Sequence, residues 1–264
     1  VFVIWARNKS RPKFYAASEY RLYVRGESMP ESSLIMNAVL RDNTLQINRQ
    51  PAIGPQEALL FSDVRFHIGL VLRRKNPHVF RSDIFDKHVE PTPEIIQGLG
   101  DSDAYLSVRY ISDVPLDDRR HVQLLPHVVR ALTRLTEARV VYDVHQEKMW
   151  SAEEFVQELE FNPDANRADL HVRAVWEYQE DKGGHARTLG MIKLGLPELE
   201  TGPMEPDEQR LVIDVLESAA AQLWSEPMVV SELEVEGMHD RFRLLLAPVR
   251  KGRRVVRILR MVPQ

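Results

Sequence analysis

The spacing of apolar and polar residues divides the chain into a strand-rich first part and a mixed second part. Residues 1–5 and 20–24 are rich in β-branched and aromatic side chains, which suit a pleated, half-buried surface. Residues 34–40 and 44–48 flank Asp42 and Asn43, a tight-turn pair, and predict a hairpin. Residues 64–73 alternate imperfectly and are apolar enough for a central strand, while 56–61 predict one helical turn. Residues 90–103 gather two prolines, two glycines and several turn formers, with room only for a short helix at 93–99. A boundary is expected there, between a strand-rich region over 1–100 and an α+β domain over 101–264. A second turn cluster lies at 162–168.

The second part is patterned more clearly. Residues 104–111 predict a strand. Val122, Leu125, Val128, Val129, Leu132 and Leu135 then recur at three and four, the spacing of one helical face, with Asp117 or Asp118 as its cap. Pro126 interrupts this face, so the helix either starts near Leu124 or kinks. The next strand falls at 139–146, and a strand, helix and strand at this spacing predict a right-handed parallel crossover. Ser151 and Glu154 have capping-box spacing ahead of a helix over 152–159. Residues 170–178 and 186–194 flank Lys182, Gly183 and Gly184, a hairpin signal. Pro206 opens a helix that buries Val212, Val215, Leu216, Ala219 and Leu223. Residues 228–235, 242–248 and 255–262 form a terminal meander with Lys251 and Gly252 at its last turn. The pattern predicts an α+β fold of largely antiparallel sheets, a few packed helices and one parallel crossover.

Composition narrows the chemistry. The 264 residues include no cysteine, which removes disulfides, thiolate metal sites and cysteine nucleophiles. No apolar run approaches the roughly 18 residues of a membrane span. Residues 1–6 are apolar but lack the charged and cleavage regions of a signal peptide, and read as a strand. A soluble, cytoplasmic protein is expected. The net charge is −4, but residues 241–264 carry eight basic groups and no carboxylate, which leaves −12 on residues 1–240.

Motifs for nucleotide loops, serine hydrolases and helical zinc sites are missing from the sequence. Alternation would place Asp143, His145 and Glu147 on one strand face, a set suited to a divalent metal or acid–base chemistry in a metal-assisted hydrolase. The same alternation equally describes a solvated strand face. Asp113, Asp117 and Asp118 with Arg119, Arg120 and His121 form a charged loop that helix capping accounts for. Asp83, Asp86, His88 and Glu90 make a further polar loop. The terminal hairpin concentrates Arg250, Lys251, Arg253, Arg254 and Arg257, a surface for phosphates or an acidic protein. Basic residues that protect an edge strand give the same pattern. No cofactor is expected.

The run His185-Ala-Arg-Thr-Leu-Gly-Met-Ile-Lys-Leu-Gly-Leu-Pro-Glu-Leu-Glu200 carries Thr188, Gly190, Met191, Leu194, Gly195, Leu196, Pro197, Glu198, Leu199 and Glu200. It resembles the T-x-G-(L/M)-x-x-(F/L)-G-L-P-E-L-E run of uncharacterised bacterial domain families of unknown function, over about residues 100–225. The resemblance implies a non-catalytic, protein-binding module of a bacterial system, of the immunity or conflict kind. Members often carry a histidine before the glycine, where this chain has Leu189. From the residues alone, Gly190 marks a bulge or a close backbone approach, and Glu198 and Glu200 are either cation ligands or solvent-facing acids.

Overall fold

The computed structural model describes residues 16–41, 45–81, 91–114, 116, 118–179, 183–226, 231–236 and 241–261. The strand expected at 1–5 and the polar loop residues Asp83, Asp86, His88 and Glu90 lie outside them. The first half runs β1 (Ala16–Val24), α1 (Ser32–Arg41), a small hairpin of β2 (Gln46–Ile47) and β3 (Gln50–Pro51), α2 (Pro55–Ala58), β4 (Phe66–Leu72) and α3 (Pro93–Gly100). It continues through β5 (Ala104–Ser112), α4 (Arg120–Leu135), β6 (Val140–Asp143), β7 (Lys148–Ser151) and α5 (Ala152–Phe161). The second half runs α6 (Ala168–His171), β8 (Arg173–Gln179), β9 (Gly183–Leu189), β10 (Glu198–Thr201), α7 (Gln209–Ser225), β11 (Glu232–Glu236), β12 (Arg241–Leu246) and β13 (Arg253–Met261). The fold is α+β with mainly antiparallel sheets, as the pattern predicts.

The first sheet has the order β4-β5-β1-β6-β7, with every neighbouring pair antiparallel. Successive side chains of a strand face opposite ways. Tyr20, Leu22 and Val24 of β1 and Leu106, Val108 and Tyr110 of β5 therefore join the core beneath α1, α4 and α5. Tyr23 and Tyr105 turn to the other face, where they pack with Phe80, Ile95 and Leu99. The sheet draws on both sides of residue 101, so the expected boundary at 90–103 does not separate the layers. The chain changes sheets at the 162–168 turn cluster instead. Strands β5 and β6 are parallel to one another, but β1 lies between them. The crossover through α4 is thus a split one.

The second sheet has the order β11-β12-β13-β10-β9-β8. Its one parallel pair is β10 with β13, in the register Glu198↔Arg253. Helix α7 covers one face with Val212, Val215, Leu216, Ala219 and Leu223, the residues read from the sequence.

Four local expectations are corrected. Residues 34–40 belong to α1, because Ile35 and Val39, four apart, bury against the core beneath α4. Strand β4 lies at the sheet edge and is not central. Helix α4 starts at Arg120 with Pro126 inside it, and the N-cap is Arg119, although Asp118 Oδ1 accepts from the Arg120 amide at 3.1 Å. Strand β6 ends at Asp143, and residues 144–147 are a turn into β7, which the 139–146 reading ran through.

Candidate functional site

The densest polar cluster lies at the seam between the two sheets, and no solvent reaches it. Lys193 and Asp143 are both 0% exposed in their side chains, and the Lys193 ammonium donates to Asp143 Oδ2. Asp143 Oδ1 accepts from the backbone amides of His145 and Gln146, at 3.1 and 3.0 Å. The Lys193 Nζ also stands 3.3 Å from His171 Nδ1 and 5.2 Å from the centre of the Tyr20 ring. The Tyr20 hydroxyl is 3.2 Å from His171 Nδ1. His171 Nε2 lies 2.8 Å from the Ala165 carbonyl. A carbonyl only accepts, so that nitrogen carries the proton and Nδ1 is the acceptor for Lys193 or Tyr20. His171 stacks on Trp224 at 5.2 Å, and His121 stacks on Tyr110 at 4.8 Å.

Local sequence builds each arm of this joint. Pro126 has no amide hydrogen, so the Val122 carbonyl loses its helical donor. The Ala165 carbonyl, and to a smaller extent the freed Val122 carbonyl, favour the protonated form of the His171 ring, against the larger effect of burial. Lys193 rides on a short turn, Met191–Leu194, bounded by two left-handed glycines, Gly190 (φ 110°) and Gly195 (φ 62°). A side chain at Gly190 would meet the His171 carbonyl at 2.0 Å, the close approach that the sequence suggests there. Glu198 Oε1 accepts from the Gly190 amide at 3.0 Å, and its Oε2 from the Thr188 hydroxyl at 2.8 Å. The Thr188 oxygen in turn accepts from the Leu199 amide at 2.8 Å. The 188–200 run thereby forms a frame that presents Lys193 to the first sheet. Glu198 is a half-buried part of that frame, and Glu200 pairs with Arg253 at 3.1 Å.

Burial sets the protonation states. It lowers the Lys193 ammonium below the ordinary lysine value, and the Asp143 charge opposes that shift. It lowers His171 well below the ordinary histidine value, helped by the Lys193 charge. His121, whose Nε2 donates to the Lys193 carbonyl at 2.7 Å, is lowered to about 4, chiefly by burial. Tyr20 is raised well above its ordinary value by burial and by Asp143. Burial likewise raises the Glu198 carboxyl, against its hydrogen bonds.

The structure does not bring the expected metal set together. Asp143 turns into the joint, whereas His145 and Glu147 sit on the turn beyond β6, with Glu147 at φ 53°. Both Asp143 oxygens are engaged, and Glu147 lies 3.9 Å from Arg187. Among the described residues no three His, Cys, Asp or Glu side chains are placed to hold a metal ion. Lys193, His171 and Tyr20 are missing from the sequence-derived candidates. The one signal for Lys193 is a charge between apolar neighbours inside the 188–200 run.

The basic hairpin is also rearranged. Strand β13 lies inside the second sheet, so its cations do not protect an edge. Arg253 pairs with Glu200, and Arg254 is largely buried and donates to the Ala247 carbonyl at 3.0 Å. Arg250, Lys251 and Arg257 are exposed. Two open clefts lie among the described residues. One of about 720 Å³ runs between the β2–β3 hairpin and the start of α4. Its arginines are engaged, Arg119 with the Trp224 carbonyl and Arg120 with Asp118 and the Gln56 carbonyl. The other, about 420 Å³, lies beside Lys148, Arg173 and Glu217.

No helix among the described residues is long and apolar enough to cross a membrane. Comparison with protein-family models, with curated proteins and with solved structures finds no match to this chain.

Proposed function

We propose that the chain is a non-catalytic protein-interaction module of a bacterial system. The observation that carries this reading is the surface of α1. Ile35 and Val39 anchor the helix, while Leu34, Met36 and Leu40 stay 50%, 42% and 48% exposed. Exposed apolar side chains gathered on one short helix, rather than scattered singly, favour an interaction surface. The main cluster of titratable groups supports the same reading, because it is sealed and its groups satisfy one another. The 188–200 run adds the bacterial setting through its resemblance.

The test is affinity capture from bacterial extract with the wild-type chain and with Met36→Glu/Leu40→Glu. A partner captured in stoichiometric amount by the wild type and lost by the variant, at unchanged melting temperature, is the expected result. Copurifying metal with hydrolytic turnover would overturn the reading. The exposed Arg250, Lys251 and Arg257 favour a second reading, nucleic-acid binding through the hairpin. It requires affinity that falls steeply with salt.

A further inference from the structure

We propose that the outer edge of β4 is a docking site for an extended peptide with an apolar centre and acidic ends, added as a sixth, antiparallel strand. This rests on the protein-interaction reading and names its partner chemistry. The two large sheets have four outer strands, β4, β7, β8 and β11. Strand β11 carries Glu232, Glu234 and Glu236, β8 carries Arg173 and Glu177, and β7 has four residues, one of them Lys148. Charge and shortness are the ordinary protections of a sheet edge. Strand β4 has neither: its seven residues, Phe-His-Ile-Gly-Leu-Val-Leu, include no acid, lysine, arginine or proline.

Its free backbone groups follow from the register. The Ile111 amide donates to the Arg65 carbonyl and the Arg73 amide to the Asp103 carbonyl. In an antiparallel ladder these bonds recur at every second residue. Residues 67, 69 and 71 therefore bond inward to β5, and 66, 68, 70 and 72 point their backbone groups outward. The Phe66 amide is taken by the Asp63 carbonyl, and the Leu72 carbonyl by Lys75 and Asn76. The amides of Ile68, Leu70 and Leu72 and the carbonyls of Phe66, Ile68 and Leu70 remain, with no partner among the described residues. They form a six-group template for one incoming strand.

The ends of β4 give the charge preference. Arg65 precedes the strand, and Arg73, Arg74 and Lys75 follow it. His67 and its β5 neighbour Arg109 are exposed on the outer face. Asp63 and Glu27 pair with Arg65 and Arg74. No acid among the described residues reaches Arg109 or Lys75 within ion-pair distance. A second copy of the chain fits this edge poorly: antiparallel pairing centred on Gly69 would set Arg65 against the other copy's Arg73. Acidic flanks on a peptide meet these cations instead.

The test uses the full chain and a capped peptide, Asp-Glu-Val-Thr-Val-Thr-Val-Glu-Asp, with a Lys-flanked peptide of the same centre as control. Hydrogen exchange at the Ile68, Leu70 and Leu72 amides is expected to be fast in the free protein and slowed by the acidic peptide. Leu70→Pro removes one outward donor and should abolish binding. Because Leu70 also packs on the core, Lys75→Glu/Arg109→Glu serves as a second variant. It should keep the melting temperature and weaken binding about tenfold. Protection of these amides in the free chain would overturn the proposal, since the edge would then be covered by a second copy or by this chain. So would millimolar peptide without protection, equal binding of the Lys-flanked control, or protection at another edge. Partner capture that depends on Met36 and Leu40 but not on Leu70 would leave the interaction reading standing and remove only the edge.

Discussion

At the scale of single residues, the Lys193–Asp143 pair decides most. Two charges without solvent are costly, and they persist here because each has its partner and further hydrogen bonds. Lys193→Met would leave Asp143 charged, with Oδ2 unpaired in a dry site. A loss of about 3–5 kcal/mol is expected, read by urea denaturation. Adding Asp143→Asn to that variant should restore part of the loss, because the stranded charge is gone. A cost below about 1 kcal/mol would show that the pair does not hold the seam. Little of this is legible in sequence. Asp143 stands out because it alternates with His145 and Glu147, but Val144 to Glu147 turn, and the alternation has no strand to act on. Lys193 pairs with a residue fifty positions earlier, and nothing in its neighbourhood announces that partner.

At the scale of elements, legibility follows how local the cause is. The box at Ser151 and Glu154 works over three residues, and it is present as read: Ser151 Oγ accepts from the Glu154 amide at 3.2 Å, and Glu154 accepts from the Ser151 amide at 2.9 Å. Phe155 and Leu159, one turn apart, then bury the helix face against the first sheet. Ser151→Ala should cost about 1 kcal/mol, seen as a lower urea midpoint with an unchanged slope. An unchanged midpoint would mean that packing alone sets the start of α5. Helix α1 shows the opposite case. Leu34, Met36 and Leu40 surround the Ile35 and Val39 stripe and blur its period, so 34–40 reads as an apolar strand. What selects the helix is α4 beside it, eighty residues on, and no window along the chain contains that contact. The 188–200 run is legible as a unit, yet its purpose depends on His171 and Asp143 in other elements.

At the scale of the whole molecule, the seam makes stability depend on pH in a definite direction. His121 reaches the Lys193 carbonyl across the seam, and His127 lies 2.9 Å from the Pro163 carbonyl in the segment where the chain changes sheets. Both are lowered to about 4, chiefly by burial, from an ordinary 6.5. The unfolded chain therefore takes up protons between pH 6.5 and 4 while the folded chain keeps these rings neutral. Stability rises with pH wherever the unfolded state binds more protons, so this contribution is full above pH 6.5 and is lost as pH falls toward 4. Each ring adds a slope of up to about 1.4 kcal/mol per pH unit, or roughly 3 kcal/mol over the window. His171, held well below its ordinary value chiefly by burial, adds to the same slope. Urea denaturation at pH 7.5, 6 and 5 should show the midpoint falling at each step. His127→Gln keeps an amide donor toward Pro163 and does not titrate, so it should reduce the slope by about one ring's share. A midpoint that is flat from pH 7.5 to 5 would mean that these histidines charge freely in the folded state, and that the seam is open to water.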